Sequence, residues 1–179
     1  MKSSLIEFYR KNHLYTLFYD ESDGLIYKIP TSKEYSFQKI YLGGIALLIT
    51  GNFLNKFYQE YNNLIIDIIL FIISLFIGYI SANSLHQNYY DKERTHSIIL
   101  DDSYLEECLE EGIKQSQIDL IILFVSSLLA ITGLVGFFFM NTIHLLIMGC
   151  ICLSLFINAY FMKPLRRRKI IHKLQQELN

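Results

Sequence analysis

Apolar residues along this chain gather into four long blocks parted by charged stretches, and that alternation sets the expected architecture. The blocks run from about Phe37 to Tyr58, Asn63 to Leu85, Ile118 to Met140 and Thr142 to Met162. Each is near the ~20 residues that an α-helix needs to cross a hydrocarbon core. Lys39 and Lys56 lie at the ends of the first block, where both side chains can snorkel to the interfaces. Lys163-Pro164 ends the fourth, because proline cannot continue a helix. Only Asn141-Thr142 parts the third block from the fourth, so those two helices must form a tight antiparallel hairpin. The expected fold class is an all-α integral membrane protein with four transmembrane helices in two tandem hairpins.

Between the blocks the period changes. Leu14-Tyr15-Thr16-Leu17-Phe18-Tyr19 and Leu25-Ile26-Tyr27-Lys28-Ile29 flank Asp20-Glu21-Ser22-Asp23-Gly24, which predicts a small β-hairpin closed by an Asp-Gly turn. A two-stranded hairpin is marginal alone, so it is expected to lean on the helices or on the middle loop. Thr95 to Leu100 predicts a further short strand. Ser103 followed by Glu106 reads as a capping box, with Leu105, Leu109 and Ile113 along one face, so a short amphipathic helix should precede the third span, with Gly112 as a hinge. The organisation is then an N-terminal segment over residues 1–36, a first membrane hairpin over 37–85, an acidic loop over 86–117, a second hairpin over 118–162 and a basic tail over 163–179.

Composition supports this placement. The 179 residues are 52% hydrophobic, with 27 Ile, two Val, two Pro and no Trp. Because the apolar residues are concentrated rather than spread, a soluble globular domain and a disordered chain are both excluded. The net charge of −1 conceals segregation. Six Lys or Arg lie in the chain up to Lys39, three in residues 83–117 and six after Met162, against Lys56 alone in the two remaining turns. The positive-inside rule then puts both termini and the middle loop in the cytoplasm, with short outer turns near residues 57–62 and 141–142. Met1 to Arg10 has no apolar run ahead of a cleavage site, so the first block is the expected insertion signal. Cys150 and Cys152, two apart on a helix, point about 200° from one another and cannot bridge, and Cys108 sits among carboxylates.

The two hairpins carry an internal echo. Leu47-Leu48-Ile49-Thr50-Gly51 recurs as Leu129-Ala130-Ile131-Thr132-Gly133, and Ser74-Leu75-Phe76-Ile77 recurs as Ser154-Leu155-Phe156-Ile157, in the same order. A parallel repeat about an axis along the membrane normal is the expected symmetry. Gly44 and Gly51 align with Ser126 and Gly133, each pair on one helix face, which marks them as candidate helix–helix contacts inside the bundle or in a homo-oligomer.

Candidate chemistry is sparse. Asp67 is the carboxylate set deepest in an apolar block, and an intramembrane acid is a functional candidate by default. His144, Ser154 and Asn158 share a stripe of the fourth span, with His144 at a depth similar to Asp67, so Asp67 and His144 are expected partners that could hold a cation, relay a proton or tie the hairpins together. Asp119 reads as a favourable charge at a helix N-terminus. Arg166, Arg167, Arg168 and Lys169 form a candidate lipid-facing basic cluster, and Asp101, Asp102, Glu106, Glu107, Glu110 and Glu111 an acidic run that could pair with it. No phosphate-binding, zinc-protease or nucleophile-elbow motif occurs, the five His are scattered, and no basic face is interleaved with aromatics. The expectation is a non-enzymatic protein with no cofactor, no bound metal and no nucleic-acid partner.

The run Tyr15-Thr16-Leu17-Phe18-Tyr19-Asp20 through Asp23-Gly24-Leu25-Ile26-Tyr27-Lys28, the segment Ser97-Ile98-Ile99-Leu100, the basic end Arg166 to Lys169 and the richness in Ile, Asn, Lys and Tyr form a pattern over most of the chain. In it the sequence resembles small multi-span proteins of low-GC Gram-positive bacteria that act as immunity proteins against membrane-damaging secreted toxins or bacteriocins. Some of those families have a fifth span, which this chain lacks, and no functional residue is carried over. The resemblance implies toxin neutralisation in the cell membrane, with membrane lipid and a membrane-inserting protein toxin as partners. The alternative expectation is a small oligomeric transporter or channel subunit.

Overall fold

A computed structural model describes residues 5–11, 14–30, 50–61, 63–89 and 96–178. The N-terminal segment forms strands β1 (Leu5–Lys11), β2 (Tyr15–Asp20) and β3 (Ile26–Pro30), and β4 (His96–Ile98) completes an antiparallel sheet in the order β1-β2-β3-β4. The expected hairpin is therefore the centre of a four-stranded sheet, and the protein is mostly helical rather than all-α. Gly24 takes φ +71° in the β2–β3 turn, where Asp20 Oδ1 accepts from the Ser22 backbone N–H and Asp23 Oδ1 from that of Leu25. β1 escaped the sequence reading because it does not alternate cleanly. A bulge between Glu7 and Tyr9 places Phe8 as the extra residue, so Ile6, Phe8 and Tyr9 all reach one core.

The helices are α1 (50–61), α2 (Leu64–Tyr89), α3 (Asp102–Met140), α4 (Ile143–Phe161) and α5 (Pro164–Leu178). α3 is one uninterrupted helix of 39 residues, so the amphipathic segment and the third apolar block are continuous and Gly112 is no hinge. Its first residue is Asp102, and Asp101 rather than Ser103 precedes it, the Asp101 carbonyl accepting from the Leu105 N–H at 2.8 Å. The basic tail is helical, because Arg167, Ile170, Ile171 and Leu174 recur at helical spacing and make one buried stripe. Most of the expected first span, including Gly44, lies outside the described residues. The stretches Leu64–Gln87, Asp102–Met140 and Ile143–Leu178 are long and apolar enough to cross a membrane.

The chain divides into two compact units, the first from residues 1–34, 85–122 and 159–179 and the second from 35–84 and 123–158. In the first unit Ile6, Phe8, Leu17 and Tyr19 of the sheet pack on Cys108 and Leu109 of α3 and on Ile170, Ile171 and Leu174 of α5. Each such aliphatic side chain contributes ~1.5–3 kcal/mol when fully buried. Burial, with the Glu111 carboxylate beside it, pushes the Tyr9 phenol well above its ordinary value, so Tyr9 stays neutral.

In the second unit α3 and α4 form the expected tight hairpin through Asn141-Thr142, with Asn141 in the left-handed region at φ 48°. Gly133 faces Gly149 so closely that a Cβ on Gly133 would stand 2.8 Å from the Gly149 backbone. α2 runs parallel to α4, since the Cys150 thiol donates to the Ser74 carbonyl and Gly78 faces Leu153. α1 runs antiparallel to α4, with Asn55 against Ile143 and Gly51 against Ile147. The outward faces stay apolar: Ile65 (71% exposed), Phe76 (64%) and Phe124 (64%) belong to long rows of exposed aliphatic and aromatic side chains on α2 and α3. Contiguous apolar surface on this scale is foreign to soluble monomers and native to a helix in lipid.

Candidate functional site

Asp67 lies in the first turn of α2, where the positive end of the helix dipole favours its charge. Asn63 caps that helix, its Oδ1 accepting from the Ile66 N–H at 3.0 Å. Asp67 is 7% exposed, and its carboxylate accepts from the Tyr58 hydroxyl of α1 at 2.5 Å. The expected partner was His144. The parallel register of α2 and α4, which sets Ser74 beside Cys150, does bring Asp67 and His144 to comparable levels. Asp67 nonetheless turns to Tyr58, whose hydroxyl donates to it from only nine residues away in sequence, and His144 lies against Gly51 instead. Ser154 and Asn158 are half-buried on α4. Among the described residues no hydrogen bond joins these four polar residues to one another. The same end of this unit holds a second polar tie, in which the Asn55 side chain accepts from the Ile143 N–H at 2.9 Å and satisfies the start of α4.

Of the small-residue positions, Gly51 packs on His144 and Ile147, Gly133 on Gly149 and Leu145, and Ser126 is buried with its hydroxyl donating to the Leu123 carbonyl of its own helix. These contacts lie within the unit. The aligned glycines do not make equivalent contacts: both Gly51 and Gly133 meet α4. Gly149 and Gly78, which the sequence reading passed over, matter as much, since each meets a neighbouring helix within about van der Waals distance or closer.

The basic cluster divides. Arg166, Arg168 and Lys169 are exposed on α5, whereas Arg167 is 0% exposed and so does not face lipid. Its Nη1 donates to Asp119 Oδ2 at 2.7 Å and to Glu7 Oε1 at 3.2 Å, its Nη2 to Gln115 Oε1 at 2.7 Å and its Nε to the Phe8 carbonyl at 3.2 Å. Arg10 holds the same two carboxylates at 2.5 Å each. Two guanidinium and two carboxylate groups cancel in charge, which is the condition for burying them together. Asp119 is thus an ion-pair member deep in α3 and not a helix-start charge.

The bulge in β1 explains the arrangement. It frees the Phe8 carbonyl from the strand ladder and turns it toward α3 and α5, where Arg167 supplies the donor. A Cβ at Gly112 would run into that carbonyl oxygen, which is the reason for a glycine there. Gln115 completes the strand edge, its Oε1 accepting from the Arg10 N–H at 3.0 Å and its Nε2 donating to the Arg10 carbonyl at 2.7 Å. The acidic run from Asp101 to Glu111 is exposed, and the tail cations are not drawn into ion pairs with it among the described residues. No group of three or more His, Cys, Asp or Glu able to hold a metal occurs among the described residues.

The sequence matches no family model, and comparison with curated proteins and with solved structures gives no match.

Proposed function

We propose that this chain is a non-enzymatic, multi-pass protein of the cell membrane that binds a membrane-inserting partner, and that it acts as an immunity protein against a membrane-damaging secreted toxin. The observation that carries the reading is the broad exposed apolar face of α2 and α3, which includes Ile65, Phe76, Ile80 and Phe124. Such a face sits in lipid and is available to another helix that arrives there. The chain completes four spans in two tandem hairpins related as a parallel repeat, with both termini cytoplasmic and short outer turns. Outer turns of that size are too small to capture a soluble ligand, so recognition takes place within the bilayer.

A small transporter or channel subunit is the second reading. Its support is Asp67, a buried acid in an apolar helix. It ranks second because Asp67 is spent on Tyr58, Ser74 on its own helix and Cys150 on Ser74, leaving these groups as ties between helices. A photocrosslinking residue placed at Phe76 or at Glu107 of the full chain tests the choice in cells challenged with secreted bacteriocin fractions. A protein adduct through Phe76 is the expected result. An adduct through Glu107 alone would move the binding site to the cytosolic face, and ion flux in proteoliposomes abolished by Asp67→Asn would favour the transporter.

A further inference from the structure

α5 has the composition of a helix that lies on a membrane, yet the face that would normally enter the bilayer is already used. Ile170, Ile171 and Leu174, with Arg167, are buried in the core of the first unit. The outward face carries Arg166, Arg168, Lys169 and His172 around Leu165, which is 68% exposed. From Tyr160 to Gln176 the sequence holds no Asp or Glu, and among the described residues Lys163, Arg166, Arg168 and Lys169 have no ion-pair partner. Tyr160, exposed in the last turn of the apolar helix α4, is the kind of residue that marks the headgroup level. α4 ends at Phe161 and α5 begins at Pro164. With up to ~3.8 Å per residue across the connection and ~1.5 Å per residue along α5, Lys163 stands within about 8 Å and Lys169 within roughly 19 Å of the end of α4 whichever way α5 leaves it, one to about two Debye lengths in physiological salt.

We propose that Lys163, Arg166, Arg168 and Lys169 bind the phosphate headgroups of anionic phospholipids in the membrane that α4 enters, holding α5 at the surface by charge alone, without insertion. The usual basic amphipathic helix adds buried apolar area to its electrostatic attraction. Here that area belongs to the sheet, so the contact is salt-sensitive and leaves the fold of the unit untouched. The inference rests on the membrane-spanning reading above.

Electron spin resonance of the full chain in bilayers of phosphatidylcholine with a minor fraction of spin-labelled lipid tests both. Motionally restricted phosphatidylcholine reports that the protein spans the bilayer, and its absence would overturn the membrane reading itself. If restricted lipid is present, phosphatidylglycerol should be preferred over phosphatidylcholine about fivefold at low salt, falling to about one in R166Q/R168Q/K169Q and in ~0.5 M salt. R166K/R168K should keep the preference, since the charge is retained. An undiminished preference in the triple variant, or one that survives high salt, would overturn the proposal while leaving the membrane reading intact.

Discussion

The two units solve the same problem, joining helices, with opposite materials. The first closes its core with charge: Arg10 and Arg167 meet Glu7 and Asp119, and Gln115 binds the edge of β1. The second closes with backbone: Gly133 meets Gly149, Gly78 meets Leu153, and the polar groups are short ties such as Tyr58 to Asp67. On the membrane-spanning reading proposed above, the reason lies in what surrounds each. A unit in water gains from burying aliphatic side chains against a sheet, and can bury ions when they are paired and hydrogen-bonded. Helices in lipid gain nothing by hiding Leu from Ile, so close approach of small residues and a few hydrogen bonds must hold them together. α3 runs through both, with charged and amphipathic first turns and an apolar remainder.

Removing charge should hurt the first unit most. Arg167→Ala leaves Asp119 and Glu7 buried with less compensation and is expected to cost ~3–5 kcal/mol, whereas Arg166→Ala, one residue away and exposed, should cost under ~0.5 kcal/mol. Thermal unfolding of the detergent-purified chain, followed by circular dichroism, checks the pair. Equal losses would erase the distinction between the two arginines. Adding volume should hurt the second unit. Gly133→Leu drives a side chain into the Gly149 backbone and should cost at least ~1–3 kcal/mol, while Gly136→Ala, which meets only the Leu145 side chain, should be milder. Both are read by loss of the folded monomer in graded denaturing detergent.

The hydrogen-bonded tie ranks lower. Tyr58→Phe removes the donor to a buried carboxylate and should cost ~1–3 kcal/mol, whereas Asp67→Asn keeps an acceptor and should cost under ~1 kcal/mol. A larger loss in Asp67→Asn than in Tyr58→Phe, at unchanged expression, would assign the charge itself a role. Smallest of all, converting Glu106, Glu107 and Glu110 together to Gln should change stability by less than ~0.5 kcal/mol, because these side chains are solvated on the outside of α3. A large shift there would mean that the acidic run belongs to the first unit's architecture after all.

Much of the secondary structure was legible from local pattern. The β2–β3 turn was visible in Asp-Gly, β4 in the short apolar run near Ile98, and the α3–α4 hairpin in a two-residue separation. Arg167 was not read correctly because three neighbouring cations drew it into a surface cluster. The signal was present in its phase with Ile170, Ile171 and Leu174, which repeats at helical spacing. β1 was hidden by its bulge and by two charges that only a buried partner makes tolerable. A glycine in a helix signals either flexibility or close approach, and at Gly112 the approaching group, the Phe8 carbonyl, lies about a hundred residues away in sequence.

What the sequence determined by itself are the features with a local cause: the apolar blocks, the helical and strand periods, the turns set by glycine, asparagine and proline, and the segregation of charge. What only the tertiary structure decided is pairing. Whether Asp67 meets His144 or Tyr58, whether Arg167 faces lipid or two carboxylates, and whether Gly133 awaits a partner or already has one in Gly149 all depend on which distant segments come within a few ångströms. A side chain's period sets the face on which it stands. The energy of a buried charge or a missing Cβ is set by the group opposite, and that group is placed by the fold of the whole unit.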